Sequence, residues 1–379
     1  MQVTIAGGGV AGSVSAIALR RIGADVTVYE AYPDPAAALG GFVSIANNGM
    51  RALAAVDCLD AVQAYGADIP LQRIWSSTGR LLAENLRGRR SIDPIHSITI
   101  PRADLVRVLR DAAVRAGAQI VTGRRVVDAT QTGDRVHATL DDGATVDSDL
   151  LVGADGIWST VRGVLDTDAP RPAYSGIYTV FGHSSTPTEP GVFNMVMGRG
   201  GAFLFGAGED TTWWAAQVID PNPDLDAVDL DTLRDRYRHE PQALAFLADV
   251  TDMRRPTRDH VVAPVPRWRS DRIVLVGDAA HPVGAGQGAS MAMEDVIVLA
   301  QRLATEPVPT ALASYEDARR ARITRMLKVG KDNRAHKKAV GPVRRRVTDA
   351  VMTFGLKHFY EKATGWLYAY DVGELPVRA

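Results

Sequence analysis

MQVTIAGGGVAGSVSAIALRRIGADVTVYE, residues 1–30, reads as strand, glycine turn, helix and second strand. Residues 3–6 form a short apolar β run, and Gly7, Gly9 and Gly12 complete a GxGxxG turn behind it. Val14, Ile17, Ala18 and Ile22 then recur on one helical face, and Gly23 stands where a helix commonly ends. The three glycines answer three needs in order: a tight turn, close backbone approach to a pyrophosphate, and tight packing of helix on strand. Val10 and Ala11 open the helix, whose free N–H groups and positive dipole end suit phosphate. Residues 26–29 form the second strand, and Glu30, 18 residues beyond Gly12, ends it with a carboxylate suited to a ribose diol. A lone glycine turn proves little, but one placed after a strand, before a helix and ahead of a terminal acid predicts a bound dinucleotide.

Working outward, the whole chain has 379 residues, 46% of them hydrophobic and 23% charged, the balance of a globular protein. That length predicts two domains and a further short element. Lys and Arg number 43 against 44 Asp and Glu, so no net field would hold a polyanion, and nucleic acid is excluded as a partner. Cys58 is the only cysteine, which rules out an internal disulfide and any multi-thiolate metal site. The eight histidines show no HxH or HExxH spacing, so no metal is expected. The β run begins at position 2 with no apolar leader ahead of it, and runs such as 274–276 and 296–300 fall far short of the roughly 20 residues a membrane span needs. The expectation is a cytoplasmic protein without membrane contact.

Three further stretches carry the cofactor question. DRIVLVGDAAHPVGAGQGASMAMEDVIVLAQRL, residues 271–303, repeats the strand, glycine loop and helix plan. LLVGADGIWSTVR, residues 150–162, runs an apolar strand into Gly153, Asp155, Gly156, Ser159 and Arg162. IPRADLVRVLRDAA, residues 100–113, places Arg102 at a helix start with Asp104 as a candidate cap. Taken singly, Asp278 reads equally as a helix cap, Arg162 as a surface charge and Asp155 as a turn closer.

In this order the motifs resemble the group A FAD-dependent aromatic monooxygenases, the family of p-hydroxybenzoate and salicylate hydroxylases, over nearly the whole chain. The resemblance implies α/β plus α+β architecture: a Rossmann-like FAD-binding domain of the p-hydroxybenzoate hydroxylase fold, a β-sheet substrate domain and C-terminal helices. It implies bound FAD, with Asp278 on the ribityl chain, and Gly286, Gly288, Ala289 and Ser290 near the flavin pyrimidine ring. Arg102 would touch FAD, Val126 would supply an adenine-side backbone contact, and Asp155 would belong to a segment serving FAD and pyridine nucleotide. Gly7, Gly9, Val10, Ala11, Gly12, Glu30, Ala31 and Val43 complete the expected cofactor contacts.

Between these motifs, residues 174–219 alternate the β-like runs YTVFGH, VFNMVMGRG, GAFLFGAG and TTWWAAQVI with Gly, Pro and Thr turns, which predicts an antiparallel sheet. Residues 227–250 carry a helical pattern through Leu230, Leu233, Tyr237, Leu244 and Leu247. The expected division is 1–70, 97–170 and 262–330 for FAD, 71–96 and 171–261 for the substrate sheet, and 331–379 for a helical end. The family resemblance makes the sheet the roof of the substrate pocket, with Phe181, Phe193, Met195, Phe203, Phe205, Trp213 and Trp214 as candidates and Pro282 at the flavin edge. Strand alternation sends about half of these into a sheet–helix core instead.

No Ser/His/Asp triad stands out and no catalytic side chain is named, which suits a protein whose cofactor carries the reactive chemistry. No second GxGxxG domain for NAD(P)H is visible, matching the family scheme of transient nicotinamide docking. The implied reaction is NAD(P)H-consuming monooxygenation with O2, hydroxylating or epoxidising a small aromatic or polyketide-like substrate through a flavin C4a-hydroperoxide. The alternatives are a non-oxygenating flavoprotein on the same scaffold, as dehydrogenase or cyclisation catalyst, and a non-flavin NAD-dependent dehydrogenase. Two departures from the family stand out: five residues, PVGAG, separate His281 from Gln287 where relatives have a longer spacer, and Leu39-Gly40-Gly41 lacks an arginine that many relatives carry there.

Residues 319–346 hold twelve Lys or Arg and one acid, Asp332, with Ile323, Met326 and Leu327 as an apolar stripe. The plain reading is a solvated helical face; attraction of NADPH phosphates or an anionic substrate is the other. FGLKHFYEKATGWLYAYDV, residues 354–372, has aromatics spaced to pack on the flavin domain or on a second subunit, so monomer and homodimer both stay open.

Overall fold

The computed structural model describes residues 1–34, 41–284, 286–336 and 342–376, with side chains outside 331–347. Strand Gln2–Ala6 is the middle of a five-stranded parallel sheet, flanked by Leu150–Gly153 and Asp25–Glu30, with Ile273–Leu275 and Gln119–Thr122 at the edges. Val3, Ile5, Val28, Leu151, Val152 and Val274 are all buried, as expected of parallel strands covered on both faces. Helices Val10–Arg21 and Gly288–Thr305 pack together on this sheet. Helix Asn47–Ala55 joins them closely because residue 49 is glycine: a Cβ there would stand 2.4 Å from the Ser290 hydroxyl. A small antiparallel sheet, Phe42–Ile45, Ile98–Pro101 and Ala67–Asp68, lies between this layer and a larger one.

The larger sheet has eight strands, ordered Val250–Met253, Ala173–Ser184, Thr212–Ile219, Gly201–Ala207, Val192–Met197, Leu71–Ser76 and Leu81–Leu86, with Thr257–Val261 also against Ala173–Ser184. The pairings within residues 173–219 are antiparallel, as the alternation predicts, but Val192–Met197 runs parallel to Leu71–Ser76, so the whole sheet is mixed. One face is closed by two short helices, Leu230–Arg236 and Pro241–Ala248. The single helical pattern over 227–250 breaks in two because Pro241 has no N–H to continue a ladder and sits instead in a fresh first turn. Tyr178, Val180, Val196, Phe203, Phe205, Trp214, Leu233, Tyr237, Phe246 and Leu247 form the core beneath them.

Two long helices, Val308–His336 and Pro342–Tyr368, follow, and the second packs on strand Leu81–Leu86. The chain end is strapped back: Gln301 donates to the carbonyls of Val372 at 2.7 Å and Glu374 at 2.9 Å, and Arg51 donates to that of Tyr368 at 2.8 Å. Among the described residues no helix is long and apolar enough to cross a membrane.

Candidate active site

The glycine turn separates into two kinds of glycine. A Cβ on Gly12 would fall 1.8 Å from the Gly7 carbonyl oxygen, and one on Gly7, where φ is +98°, would fall 2.5 Å from that of Ala154. These two positions serve close packing within the protein. A Cβ on Gly9 meets nothing within 4 Å, although Gly9 caps the helix and faces its open end. The amides of Val10 and Ala11 in that first turn have no intrahelical acceptor, and Gly9 brings no side chain to cap them. An anion-shaped cradle is the result.

Glu30 is buried, and its carboxylate is already employed: Oε2 accepts from the Gly8 amide at 2.7 Å and Oε1 from the Tyr32 amide at 2.8 Å. It therefore fastens the glycine turn to the end of its strand, with Ala31 between the two bonded residues, and each oxygen keeps a second acceptor direction.

Across the cleft, strand Ile273–Leu275 runs into a turn at Gly277–Ala279. Gly277, at φ +60°, is wedged between helix starts, since a Cβ would meet Ala292 at 3.0 Å and Ala11 at 3.2 Å. Asp278 follows with its side chain open to the cleft and no hydrogen bond to any described residue. The protein around it pushes its carboxyl above the ordinary value, against the pull of His281 and Arg102. Arg102 begins helix Arg102–Arg115, its amide bonded to the Gly41 carbonyl at 2.9 Å. Burial lowers its guanidinium, while Asp278 and Glu30 both draw it up. Three charged groups from distant parts of the chain thus lie close enough to act on one another, Arg102 and Asp278 without a direct bond, an arrangement that leaves room for a polar ligand between those two.

The Asp155 segment is employed differently. Asp155 Oδ1 accepts from the Ser159 hydroxyl at 2.5 Å, and Oδ2 from the amides of Thr160 at 2.7 Å and Val161 at 3.1 Å. Ser159 in turn accepts from the Arg162 amide at 2.9 Å, so both side chains cap helix Thr160–Leu165. The backbone of Asp155 nevertheless lies against Gly7, whose Cβ would stand 2.9 Å from the Asp155 Cα. Arg162 is no surface charge: it is 3% exposed and donates to the carbonyls of Ala279 at 3.1 Å and Ile157 at 2.7 Å, tying this segment to the Asp278 turn.

Helix Gly288–Thr305 opens at Gln287, which makes no side-chain cap, so the amides of Gly288, Ala289 and Ser290 stand free of intrahelical partners. Behind it lies a buried charge network. Asp295 accepts from the Gly277 amide at 3.0 Å and from Arg319 Nε at 2.7 Å, and pairs with His281 Nε2 at 2.5 Å. Arg319 also meets Glu294 at 2.7 Å, and Glu294 receives Asn48 at 2.6 Å and Arg322 at 2.8 Å. Asn48 reaches on to Gln287 at 3.3 Å, so two successive acids of one helix hold both ends of the 277–287 loop.

On the cleft side of the large sheet, Phe181, Phe193, Met195 and Trp213 share one face. Phe42, from the small sheet, lies 4.6 Å from Trp213, 5.7 Å from His183 and 6.1 Å from Phe181, ring centre to centre. Phe193 is 5.5 Å from Trp213.

The chain's first 329 residues match the family model described as FAD binding domain. The chain belongs to the group A FAD-dependent monooxygenases. It is 34% identical over 333 residues to the aurachin C monooxygenase/isomerase of Stigmatella aurantiaca, covering 84% of this chain and 85% of that one. It is 31% identical over 353 residues to the kynurenine 3-monooxygenase of Salinispora arenicola, covering 84% and 76%. The crystal structure of Klebsiella pneumoniae HpxO complexed with FAD and uric acid superposes with a TM-score of 0.83 at 22% identity, covering 97% of both chains, which shows the shared p-hydroxybenzoate hydroxylase fold. FAD is accordingly this monooxygenase's cofactor and NAD(P)H its reductant.

Several sequence-based readings need correction in this monooxygenase. Phe205, Phe203 and Trp214 lie on the far face of the sheet; the Phe205 ring sits 4.3 Å from Phe246 in the helix-covered core and cannot line the cleft. Asp104 does not cap its helix: it lies inside the first turn and pairs with Arg107 at 3.0 Å. The basic run from 319 is not a uniformly solvated face, because Arg319 is fully buried and Arg322 nearly so. The other expected site residues are placed without contradiction: Pro282 lines, with His281, Trp268, Ile323 and Leu327, a cavity of about 30 Å³ against the Val308–His336 helix. Val126 is buried in the core, and Val43 pairs with Ile100 in the small sheet. Leu39, Gly40 and Ala285 lie outside the described residues. Sequence reasoning missed Asn48, Glu294 and Asp295; the adjacent acids 294 and 295 on an apolar helix were the one visible signal.

Proposed function

We propose that this enzyme oxygenates a small aromatic ring compound held between the flavin-side strand Phe42–Ile45 and the cleft face of the large sheet. The observation that carries the reading is the aromatic surface of Phe42, Phe181, Phe193 and Trp213, next to the cleft that Arg102, Asp278 and the two open helix starts line. Aromatic walls favour planar apolar ligands and exclude water from the reacting edge. Bound FAD supplies hydride acceptance from NAD(P)H and oxygen activation.

The residues divide that work. Gly9 and the amides of Val10 and Ala11 receive the pyrophosphate, and the spare acceptor directions of Glu30 receive the ribose diol. Asp278 and Arg102 hold the polar chain between ribose and ring. The amides of Gly288, Ala289 and Ser290 stabilise the negative charge of the reduced ring through the helix dipole. Kynurenine and uric acid, named for two relatives, support a ring substrate. The single buried Cys58 fits a reducing, cytoplasmic setting.

The test is NAD(P)H consumption by the yellow holoenzyme across a panel of aromatic ring compounds in labelled dioxygen. Expected are consumption stimulated by particular rings and one labelled oxygen atom in the product. Consumption that no ring compound changes, with all oxygen recovered as peroxide, would overturn the reading.

A further inference from the structure

The stretch that matches the FAD binding domain ends at residue 329, yet the C-terminal segment beyond it returns to the cofactor half of the molecule. Helix Pro342–Tyr368 ends against two arginines. Arg322 donates to the carbonyls of Trp366 at 3.3 Å and Leu367 at 2.8 Å, and Arg51 to those of Tyr368 at 2.8 Å and Tyr370 at 3.3 Å. The last carbonyls of a helix have no intrahelical donor, and a guanidinium satisfies them with the charge that the helix dipole favours. Gln301 holds the carbonyls of Val372 and Glu374, and Val372 and Leu375 are buried. This end of the chain is thereby fixed to helices Asn47–Ala55, Gly288–Thr305 and Val308–His336 at once.

Tyr370 is where that end meets the buried charges. Its ring lies 4.2 Å from the guanidinium of Arg322 and 5.3 Å from that of Arg319, measured to the ring centre. Arg319 spends Nε on Asp295 and Nη2 on Glu294, while its Nη1 is buried with no hydrogen-bond partner among the described residues. An aromatic face attracts such a cation without a hydrogen bond, by about 0.5–2 kcal/mol as water is excluded. Arg322 grips both oxygens of Glu294 at 2.8 Å. Beyond the two acids lies the cleft. Glu294 accepts from Asn48, which also reaches Gln287 ahead of helix Gly288–Thr305, and Asp295 holds the Gly277 amide and His281 on either side of Asp278.

We propose that Tyr370 is a positioning residue for the cofactor: its ring sets Arg319 and Arg322, these set Glu294 and Asp295, and the acids hold the Asp278 turn and the free amides of Gly288, Ala289 and Ser290 where FAD needs them. The ring acts through its face and by keeping water from the ion pairs, which weaken when hydrated. The inference rests on the reading that Asp278 and those amides receive FAD, and it is independent of the substrate. A helix start stabilises negative charge only where its amides are aimed, so displaced amides weaken the hold on the reduced ring more than on the oxidised one.

The experiment compares Tyr370→Ala, Tyr370→Phe and Asp278→Asn with the wild type by three readings: FAD affinity from flavin fluorescence, midpoint potential of the holoenzyme from dye equilibration, and urea unfolding of the FAD-free protein. Tyr370→Ala is expected to weaken FAD binding about tenfold. Its potential is expected to fall by about 30 mV, the two-electron equivalent of a further tenfold loss of affinity for the reduced form. Tyr370→Phe keeps the aromatic face and is expected to bind FAD within about twofold of the wild type at an unchanged potential. Wild-type affinity and potential in Tyr370→Ala would overturn the proposal, as would Tyr370→Phe impaired as much as Tyr370→Ala, or a loss confined to urea unfolding. Should Tyr370→Ala fail to fold, Tyr370→Leu, which keeps the bulk and removes the π face, is judged by the same readings. If Asp278→Asn weakens FAD binding and Tyr370→Ala does not, this inference alone falls; if neither variant moves affinity or potential, the cofactor reading falls with it.

Discussion

Arg319 is fully buried and Arg87 half-buried, and they are balanced in opposite ways. Arg319 is fully buried between Glu294 and Asp295, at 2.7 Å from each, and those acids raise its affinity for its proton. Arg87 lies on an aromatic ring with neutral acceptors only. Arg319 has carboxylate partners built into the chain, whereas Arg87, like the buried Arg162, is held by neutral acceptors alone. The same contrast separates Asp155, whose two oxygens are used up in starting a helix, from Asp278, which opens to the cleft.

The sharpest way to break the contrast is Arg319→Met. It takes one partner from each of two buried carboxylates, leaving Glu294 to Arg322 and Asn48 and Asp295 to His281 and the Gly277 amide, and a loss of about 3 kcal/mol in urea unfolding is expected. Arg87→Gln should change the same measurement by less than about 1 kcal/mol; comparable losses from both would erase the distinction.

The two faces of the large sheet supply the next test. Phe205→Ala should destabilise by about 3–4 kcal/mol because it empties the core against Phe246. Phe181→Ala, at the half-buried cleft face, should cost about 1 kcal/mol and act instead on ring-compound affinity, read by flavin titration.

Asp93 is the mirror of Arg319, one nearly inaccessible carboxylate between Arg51 and Arg90. Burial pushes its carboxyl up, but hydrogen bonds from the Arg90 side chain and amide and the charge of Arg51 hold it down to about 2. A depressed value means stabilisation that is complete above the ordinary carboxylate range and lost as pH falls from about 4 through about 2. The contribution is about 2 kcal/mol, so Asp93→Asn should flatten the acid limb of a stability-against-pH curve. An unchanged acid limb would show that Asp93 does not carry it.

The smallest stability effect is expected at the open carboxylate. Asp278→Asn should leave the unfolding free energy of the FAD-free protein within about 0.5 kcal/mol and weaken FAD binding about tenfold. Asp155→Ala should lower stability by about 1 kcal/mol through loss of the cap. The reverse pattern would exchange their roles.

Much of the cofactor side of the molecule was readable from residue order, because its causes are local. The positive φ of Gly7 and the absence of room for a Cβ at Gly12 follow from a turn that any chain of that pattern must make. The strand, turn and helix around Asp278 are legible for the same reason. The substrate side was less readable. Alternation shows that Phe203 and Phe205 share a face opposite to Leu204, but not which face meets helices Leu230–Arg236 and Pro241–Ala248. That choice depends on the register of strands far apart in the chain.

By itself, then, the sequence determined a dinucleotide turn, a second glycine loop with an acid at its head, and a family whose cofactor is FAD, since each of these rests on a few consecutive residues. Only the tertiary structure decided which charges are satisfied. Arg319 finds its acids 24 and 25 positions away, and Arg87 meets Ser44 and Phe193 from 43 and 106 positions away yet no described acid at all. Electrostatic balance depends on distance in space and on the removal of water, neither of which residue order fixes.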